Sequence, residues 1–197
     1  MELYLFMVVM LVMLAVFDLV VGVSNDAVNF LNSSIGSKAA PKRVIMVIAS
    51  AGILLGVTFS SGMMEVARKG IFHPELFLFT EIMVIFVAVM LTDIILLDLY
   101  NTFGLPTSTT VSIVFELLGA AVAVSLIKVN ASADPHASVA QYINTGKALA
   151  IISGILVSVV VAFICGAVFQ FFTRLLFTFN YHARLRRFGA VWGWVAL

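Results

Sequence analysis

A cluster of small polar side chains interrupts the apolar N-terminal part of the chain. The stretch VGVSNDAVNFLNSSIGSKAAP, residues 21–41, follows an almost purely apolar run. On a helix, Asn25, Asn29 and Asn32 share one face, and Asp26 lies beside them. Carboxylate and amide oxygens are the ligands that a hard cation prefers. Polar contacts between membrane helices are the alternative, but the number of polar groups on one face favours a binding site.

A second polar cluster, GLPTSTTVS, follows a predicted chain break at Gly104. Pro106 suits the first turn of a helix, because its missing N–H costs nothing there. Four hydroxyl groups come next, on Thr107, Ser108, Thr109 and Thr110. Unpaired backbone N–H groups, the positive end of the helix dipole and hydroxyl donors together favour an anion. An ordinary N-cap, the alternative, needs only one of these hydroxyls.

The two clusters complement each other chemically. An ionised Asp26 would repel an anion unless a cation lies between them, so we expect an anion and a cation to bind together, as symport requires. The first cluster also predicts a short polar half-helix that starts after Gly22, with Ser24 or Asn25 as its N-cap. Transporters commonly build substrate sites from such interrupted helices.

The elements that must position these residues are membrane helices. The chain has 197 residues, of which 62% are hydrophobic and 11% charged, so lipid must be the solvent for much of its surface. Crossing about 30 Å of hydrocarbon takes about 20 helical residues. Suitable segments are residues 3–23, 44–64, 76–99, 106–127 and 148–173. We predict an all-α integral membrane protein with about five transmembrane helices and interrupted or re-entrant half-helices.

Acidic side chains lie within or beside the predicted spans, and no Lys or Arg lies inside a span to pair with them. They are Asp18, Asp26, Glu81, Asp93, Asp98 and Glu116. An ionised group at the membrane centre costs about 2.5–3.5 kcal/mol, so a mobile cation is one way to neutralise some of them. Glu81 and Asp98 lie near span ends, where reaching water is an equal alternative.

The predicted cation ligands are Asp26 and Asn25, which offer carboxylate and amide oxygens, and Asp93, which lies further inside its span than Asp98. Secondary candidates for the same cavity are Asp18, Asn32 and Glu116. The coupling ion would be H⁺ or Na⁺, with Na⁺ placed at Asp26, and we expect no other cofactor. The predicted anion ligands are Asn25, Asn29, Ser108, Thr109 and Thr110.

Basic residues in the connections predict the orientation of the chain. Seven fall on one side of the membrane and four on the other, which predicts an N-terminus outside and a C-terminus inside the plasma (bacterial inner) membrane. Residues 128–147 are predicted to form a polar extramembrane loop. Residues 148–197 would hold the fifth helix and a basic juxtamembrane tail, ending in apolar residues that resemble the start of another helix. We therefore expect the chain to be part of a longer protein.

The two motifs together resemble those of the inorganic phosphate transporter (PiT) family. Residues 22–30 are similar to the pattern Gly-Ala-Asn-Asp-x-x-Asn-Ala, and residues 106–111 to Pro-Val-Ser-Thr-Thr-His. The similarity covers roughly residues 15–125. Departures from the patterns are the additional Ser24, Phe30 in place of a small residue, Thr107 in place of Val and Val111 in place of His.

The resemblance implies cation-coupled phosphate uptake by two inverted repeats, each with one copy of both motifs, often in a dimer. It implies that Asn25, Asp26 and Asn29 line the ion and phosphate site. Ser108, Thr109 and Thr110 would be phosphate ligands. This chain has one copy of each motif, so residues 1–127 would form the N-terminal repeat. A second repeat of the same protein, or a second copy in a homodimer, would then complete the site.

Three classes of function follow from the sequence. The first is a cation-coupled phosphate symporter in the lipid bilayer, with a symporter of sulfate or another tetrahedral oxyanion as its nearest alternative. The second is an inactive half or a scaffold subunit. An enzyme is not expected, because the chain has no nucleophile–base set, zinc signature or nucleotide loop. The net charge of +1 does not favour a nucleic-acid partner.

Overall fold

The described part of the chain is helical and contains helices able to cross a membrane. A computed structural model describes residues 2–59, 70–132 and 136–196. Its helices are α1 (Glu2–Gly36), α2 (Lys42–Thr58), α3 (Phe79–Phe103), α4 (Thr109–Ala131), α5 (Val139–Tyr142), α6 (Thr145–Phe177) and α7 (Tyr181–Ala196). Within the described residues, α1, α3, α4 and α6 are long and apolar enough to span a bilayer. These findings confirm the predicted all-α integral membrane fold.

The predicted second span, residues 44–64, lies partly outside the described residues. Its described part belongs to α2, which ends at Thr58. The other predicted spans at residues 3–23, 76–99, 106–127 and 148–173 correspond to α1, α3, α4 and α6.

Helices α1 and α3 pack in parallel. The rings of Tyr4 and Phe79 are 5.8 Å apart between centroids, and Gly22 faces the side chain of Leu97. Further along, the Nδ2 atom of Asn25 donates a hydrogen bond of 3.0 Å to Asn101. The residue numbers of the two partners differ by nearly the same amount in all three pairs. Both helices therefore run in the same direction.

Helix α4 runs antiparallel to both partners and completes the bundle. At one end, Thr109 at the start of α4 contacts Asp26 near the end of α1. At the other end, Lys128 near the end of α4 meets Glu81 near the start of α3. Small buried residues such as Ala121, which is 0% exposed, line α4 and allow close helix packing.

An ion pair holds the ends of α3 and α4 together. The Nζ atom of Lys128 lies 2.7 Å from the Oε2 atom of Glu81 and also donates to the carbonyl of Leu76 at 3.1 Å. The ammonium group lies 5.6 Å from the ring centroid of Phe77 and 5.7 Å from that of Tyr142. Glu81 therefore has a basic partner, contrary to the expectation that the acids in the spans are unpaired. Lys128 lies one residue beyond the predicted fourth span, and its side chain extends to Glu81.

The first of two compact units, Met1–Leu149, contains this bundle, and the second is Ala150–Leu197. In the second unit, the chain turns at Asn180, which has a positive φ of 52°. The Nη1 atom of Arg184 then donates to the carbonyl of Leu176 at 3.0 Å. The rings of Phe169 and Trp192 stack at 4.8 Å. A basic side chain thus satisfies a carbonyl at the end of α6, where the helix dipole favours positive charge.

Two predicted helix starts are wrong. Helix α1 continues through Gly22 without a break to Gly36, so no half-helix begins after Gly22. The hydroxyl of Ser24 donates to the carbonyl of Val20 on its own helix at 2.8 Å and caps nothing. In lipid, an unbroken helix keeps its backbone hydrogen bonds satisfied. The second wrong start is the one at Pro106. Helix α4 starts at Thr109 with Ser108 as its N-cap, so Pro106 precedes the helix and is not part of its first turn.

We predict that Lys128→Met lowers the free energy of unfolding by about 1–3 kcal/mol, because the partly buried carboxylate of Glu81 loses its basic partner and keeps only the backbone N–H of Leu78. The measurement is thermal unfolding of the purified protein in detergent micelles. Lys147→Met is the matched control, since Lys147 is exposed at the start of α6. Equal changes in the two variants would contradict a stabilising role for the ion pair.

Candidate functional site

Amide side chains of α1 and α3 form a hydrogen-bonded group between the helices. Asn25 is only 3% exposed, and its Nδ2 atom donates to the Oδ1 atom of Asn101 at 3.0 Å. The Nδ2 atom of Asn101 lies 3.5 Å from the carbonyl oxygen of Val21. Asn29, one turn after Asn25, donates to the Oδ1 atom of Asn25 at 3.4 Å. Helical spacing therefore directs both Asn25 and Asn29 toward the end of α3.

A left-handed turn at Gly104 brings the second motif to these amides. Gly104 ends α3 with a φ of +66°, a conformation that disfavours residues with a Cβ atom. The chain then folds back, and the carbonyl of Thr107 accepts a hydrogen bond of 2.9 Å from Asn29. At the start of α4, the hydroxyl of Thr109 donates to the carboxylate of Asp26 at 3.3 Å. The two polar motifs therefore face each other.

The amides line a cavity of about 260 Å³, which we call the amide cavity. Its lining residues are Asn25, Val28, Asn29, Asn32, Tyr100, Asn101, Gly104, Leu105 and Pro106. An amide side chain offers both N–H donors and a carbonyl acceptor. The wall of the cavity can therefore donate to an anion and coordinate a cation with oxygen.

The remaining predicted anion ligands have different surroundings. Ser108 accepts a hydrogen bond of 3.4 Å from the backbone N–H of Val111 and serves as the N-cap of α4. Thr110 is exposed, and Asn32 is an exposed residue at the cavity wall. The structure brings Asn25, Asp26, Asn29 and Thr109 together. Their roles in binding stay predictions.

Three carboxyl groups form a separate group, which we call the acidic cluster. It consists of Asp18 on α1, Asp93 on α3 and Glu116 on α4, and the carboxyl group of Asp93 interacts electrostatically with those of the other two. Asp93 is only 2% exposed. The Oε1 atom of Glu116 accepts a hydrogen bond of 2.7 Å from the hydroxyl of Ser112.

The structure places Asp93 at a different cavity from Asn25, and its role as an ion ligand stays a prediction. Asp93 precedes Asn101 by two helical turns, about 12 Å along α3, and lines a smaller cavity together with Asp18. The same spacing separates Asp18 from Asp26 on α1, so Asp18 does not line the amide cavity either. Because α1 and α3 pack in parallel, the acidic cluster and the amide cavity lie at two different levels along the bundle.

Asn101 is the site residue that the sequence analysis missed. It pairs with Asn25 and lines the amide cavity. The signal that could have identified it is an amide three residues before the helix break at Gly104. A polar residue at that position comes close to the next motif once the chain turns back.

No metal centre of the usual ligands exists in the described part of the chain. Among the described residues, no group of three or more His, Cys, Asp or Glu side chains is placed to hold a metal ion. Around Asp26, the neighbouring polar groups are hydroxyls and amides. Any cation that binds there would depend mainly on these neutral oxygen ligands.

Buried amides and carboxyls between membrane-spanning helices are typical of transporters, since such groups are costly in lipid and are usually functional. The chain belongs to the phosphate transporter family, whose model matches residues 22–195. This match confirms the resemblance seen in the two motifs.

A comparison with curated proteins found a relative in Thermococcus kodakarensis that carries the name "Putative phosphate permease TK2061". The two sequences are 32% identical over 98 residues, which is 49% of this chain and 24% of the relative. The match therefore spans about a quarter of the relative's length. No solved structure matches the chain significantly.

We predict that Asn101→Ala lowers the free energy of unfolding by about 1–3 kcal/mol, because it leaves the buried amide of Asn25 without its partner. Thermal unfolding in detergent micelles without phosphate measures this change. Asn32→Ala is the matched control, since Asn32 is exposed at the same cavity. A loss as large in Asn32→Ala would contradict the assigned importance of the Asn25–Asn101 pair.

Proposed function

We propose that the chain is part of a cation-coupled symporter that takes up inorganic phosphate across the plasma membrane. The observation that carries this proposal is the contact of Thr109, the first residue of α4, with Asp26 beside the amide cavity. The contact places an anion-favouring helix N-terminus next to a carboxylate that favours a cation. A site with both properties suits a cation and an oxyanion that bind together.

The N-terminus of α4 would bind phosphate. Backbone N–H groups of the first turn and the hydroxyls of Ser108, Thr109 and Thr110 are donors at this point. Since a hydroxyl rotates to suit its partner, Thr109 can turn from Asp26 to a phosphate oxygen. Asn25 and Asn29 would donate to the same anion from α1.

Coupling would follow from the charge of Asp26. When Thr109 turns to phosphate, the carboxylate of Asp26 loses its hydrogen bond and faces an anion. A Na⁺ ion or a proton at Asp26 removes this repulsion. Phosphate and cation would therefore each bind weakly alone and more tightly together.

A further polar surface would cover the site in the whole transporter. Asn29, Asn32 and Thr110 are exposed around the cavity, and exposed polar groups are costly within hydrocarbon. A second, inverted repeat of the same protein would supply the facing surface. A second copy in a homodimer is the alternative. The distribution of basic residues favours an N-terminus outside and a C-terminus inside.

We predict that the whole transporter in proteoliposomes takes up labelled phosphate in response to a Na⁺ or H⁺ gradient, and that excess sulfate competes poorly. Phosphate can donate a hydrogen bond to the carboxylate of Asp26, whereas sulfate lacks the proton to do so. Sulfate uptake without phosphate uptake would show that the substrate is another tetrahedral oxyanion and not phosphate. No uptake of either anion would favour a scaffold subunit.

We predict that Asp26→Asn abolishes gradient-driven uptake, because the amide can neither bind the cation by charge nor take up a proton. The readout is the initial rate of phosphate uptake with and without the ion gradient. Ser24→Ala is the matched control, since the hydroxyl of Ser24 bonds only to its own helix. Unchanged, ion-dependent uptake by Asp26→Asn would show that Asp26 is structural.

A further inference from the structure

The acidic cluster contains buried oxygen atoms that have no hydrogen-bond donor. Among the described residues, the Oδ1 atoms of Asp18 and Asp93 and the Oε2 atom of Glu116 are buried without a partner. Leaving a buried polar atom unpaired costs about 1–3 kcal/mol, and more for a charged group. Three such atoms in one cluster therefore indicate a ligand that donates a hydrogen bond or carries positive charge.

A small cavity lies beside Asp18 and Asp93. Its volume is about 100 Å³. Asp18 and Asp93 are its polar wall, and the other lining residues are Phe86, Val89, Met90, Ile113 and Leu117. Asp93 is only 2% exposed, and its Oδ1 atom is buried without a hydrogen-bond partner at the wall of this otherwise apolar space.

The groups around Asp93 cannot neutralise one another. The charged groups that face it are Asp18 from α1 and Glu116 from α4, and both are acidic. The hydroxyl of Ser112 is already donated to Glu116. Lys128, the basic residue of α4, pairs with Glu81, twelve residues or about 18 Å along α3 from Asp93.

Neighbouring carboxyl groups in apolar surroundings cannot all be ionised, since like charges in contact favour sharing a proton. A proton satisfies the cluster directly. When it binds one carboxylate oxygen, the new O–H donates to an oxygen of the adjacent carboxylate, and the net charge falls by one. A metal ion would need several more oxygen ligands, which the apolar wall does not supply.

We propose that the acidic cluster of Asp18, Asp93 and Glu116 is a proton-binding site, separate from the amide cavity, that is loaded and unloaded during transport. The proposal rests on the proposed symport and assigns this cluster a coupling proton in addition to the cation at Asp26. Asp18 and Glu116 are less buried than Asp93, so a proton would enter and leave the cluster through them. No bond other than O–H forms or breaks.

The position of the cluster explains how proton binding would affect phosphate. Asp18 and Asp93 lie on α1 and α3, which also carry Asn25 and Asn101 two turns further along. Ionising the cluster would make the carboxyls of all three helices repel one another. Loading a proton would let the helices pack closely and keep the amide cavity formed.

The first test uses the whole transporter in proteoliposomes without Na⁺. Asp93→Asn keeps the shape of the side chain but cannot take up a proton. We expect it to lose phosphate uptake driven by a proton gradient, while exchange of internal against external phosphate persists. Asp98→Asn, which changes an exposed acid on the same helix, should retain both activities. Uptake by Asp93→Asn that responds to the gradient as the wild type does would overturn the proposal.

The second test measures the proton itself, by infrared spectroscopy of the purified whole protein in detergent. We expect a carbonyl band of a protonated carboxyl group at neutral pH that Asp93→Asn and Asp18→Asn remove or shift and Asp98→Asn leaves unchanged. Absence of this band in the wild type, or its displacement by added Na⁺, would overturn the proton site. If the band behaves as expected but no phosphate is taken up, the proton site stands and the proposed transport function fails.

Discussion

The parallel packing of α1 against α3 is the contact on which both polar groups depend. Its nearly constant offset brings Asn25 to Asn101 and Asp18 to Asp93. Amide therefore meets amide at one level, and carboxyl meets carboxyl at the other. A shift of either helix by one residue would rotate its polar groups about 100° away from their partners. In lipid that displacement would expose them to hydrocarbon, so the polar pairs also hold the register of the bundle.

Helix α4 contributes a residue to each of the two polar groups that α1 and α3 form. Running antiparallel, it places Thr109 against Asp26 and Glu116 beside Asp93, and it ends with Lys128 on Glu81. The two levels differ in what they can bind. The amide cavity has neutral donors and acceptors, which suit an anion paired with a cation. The acidic cluster has only acceptors and negative charge, which suit a proton. One helix thus links the two levels, as coupling between a substrate and an ion requires.

The membrane fold and the family could be predicted because their signals are local. The excess of apolar residues shows that lipid surrounds much of the chain, and the lengths of the apolar segments give the positions of the membrane-spanning helices. Two short motifs identify the family, and Gly104 marks the end of α3. The complementary chemistry of the two motifs predicted that they face each other. In the structure, a hydrogen bond from Asn29 to Thr107 joins the segments that carry them. The continuity of α1 through Gly22 was not predicted, since a glycine permits a break without requiring one.

By itself, the sequence determined that this chain is a helical membrane protein of the phosphate transporter family, with carboxyls and amides in its spans. The tertiary structure decided which of them meet. Asp93 has two acidic partners rather than Asp26, and Glu81 has a basic one. Asn101 became a site residue only through its contact with Asn25. The physical reason is that helical periodicity assigns a residue to a face of its own helix. Only the direction and register of the neighbouring helices determine what that face contacts.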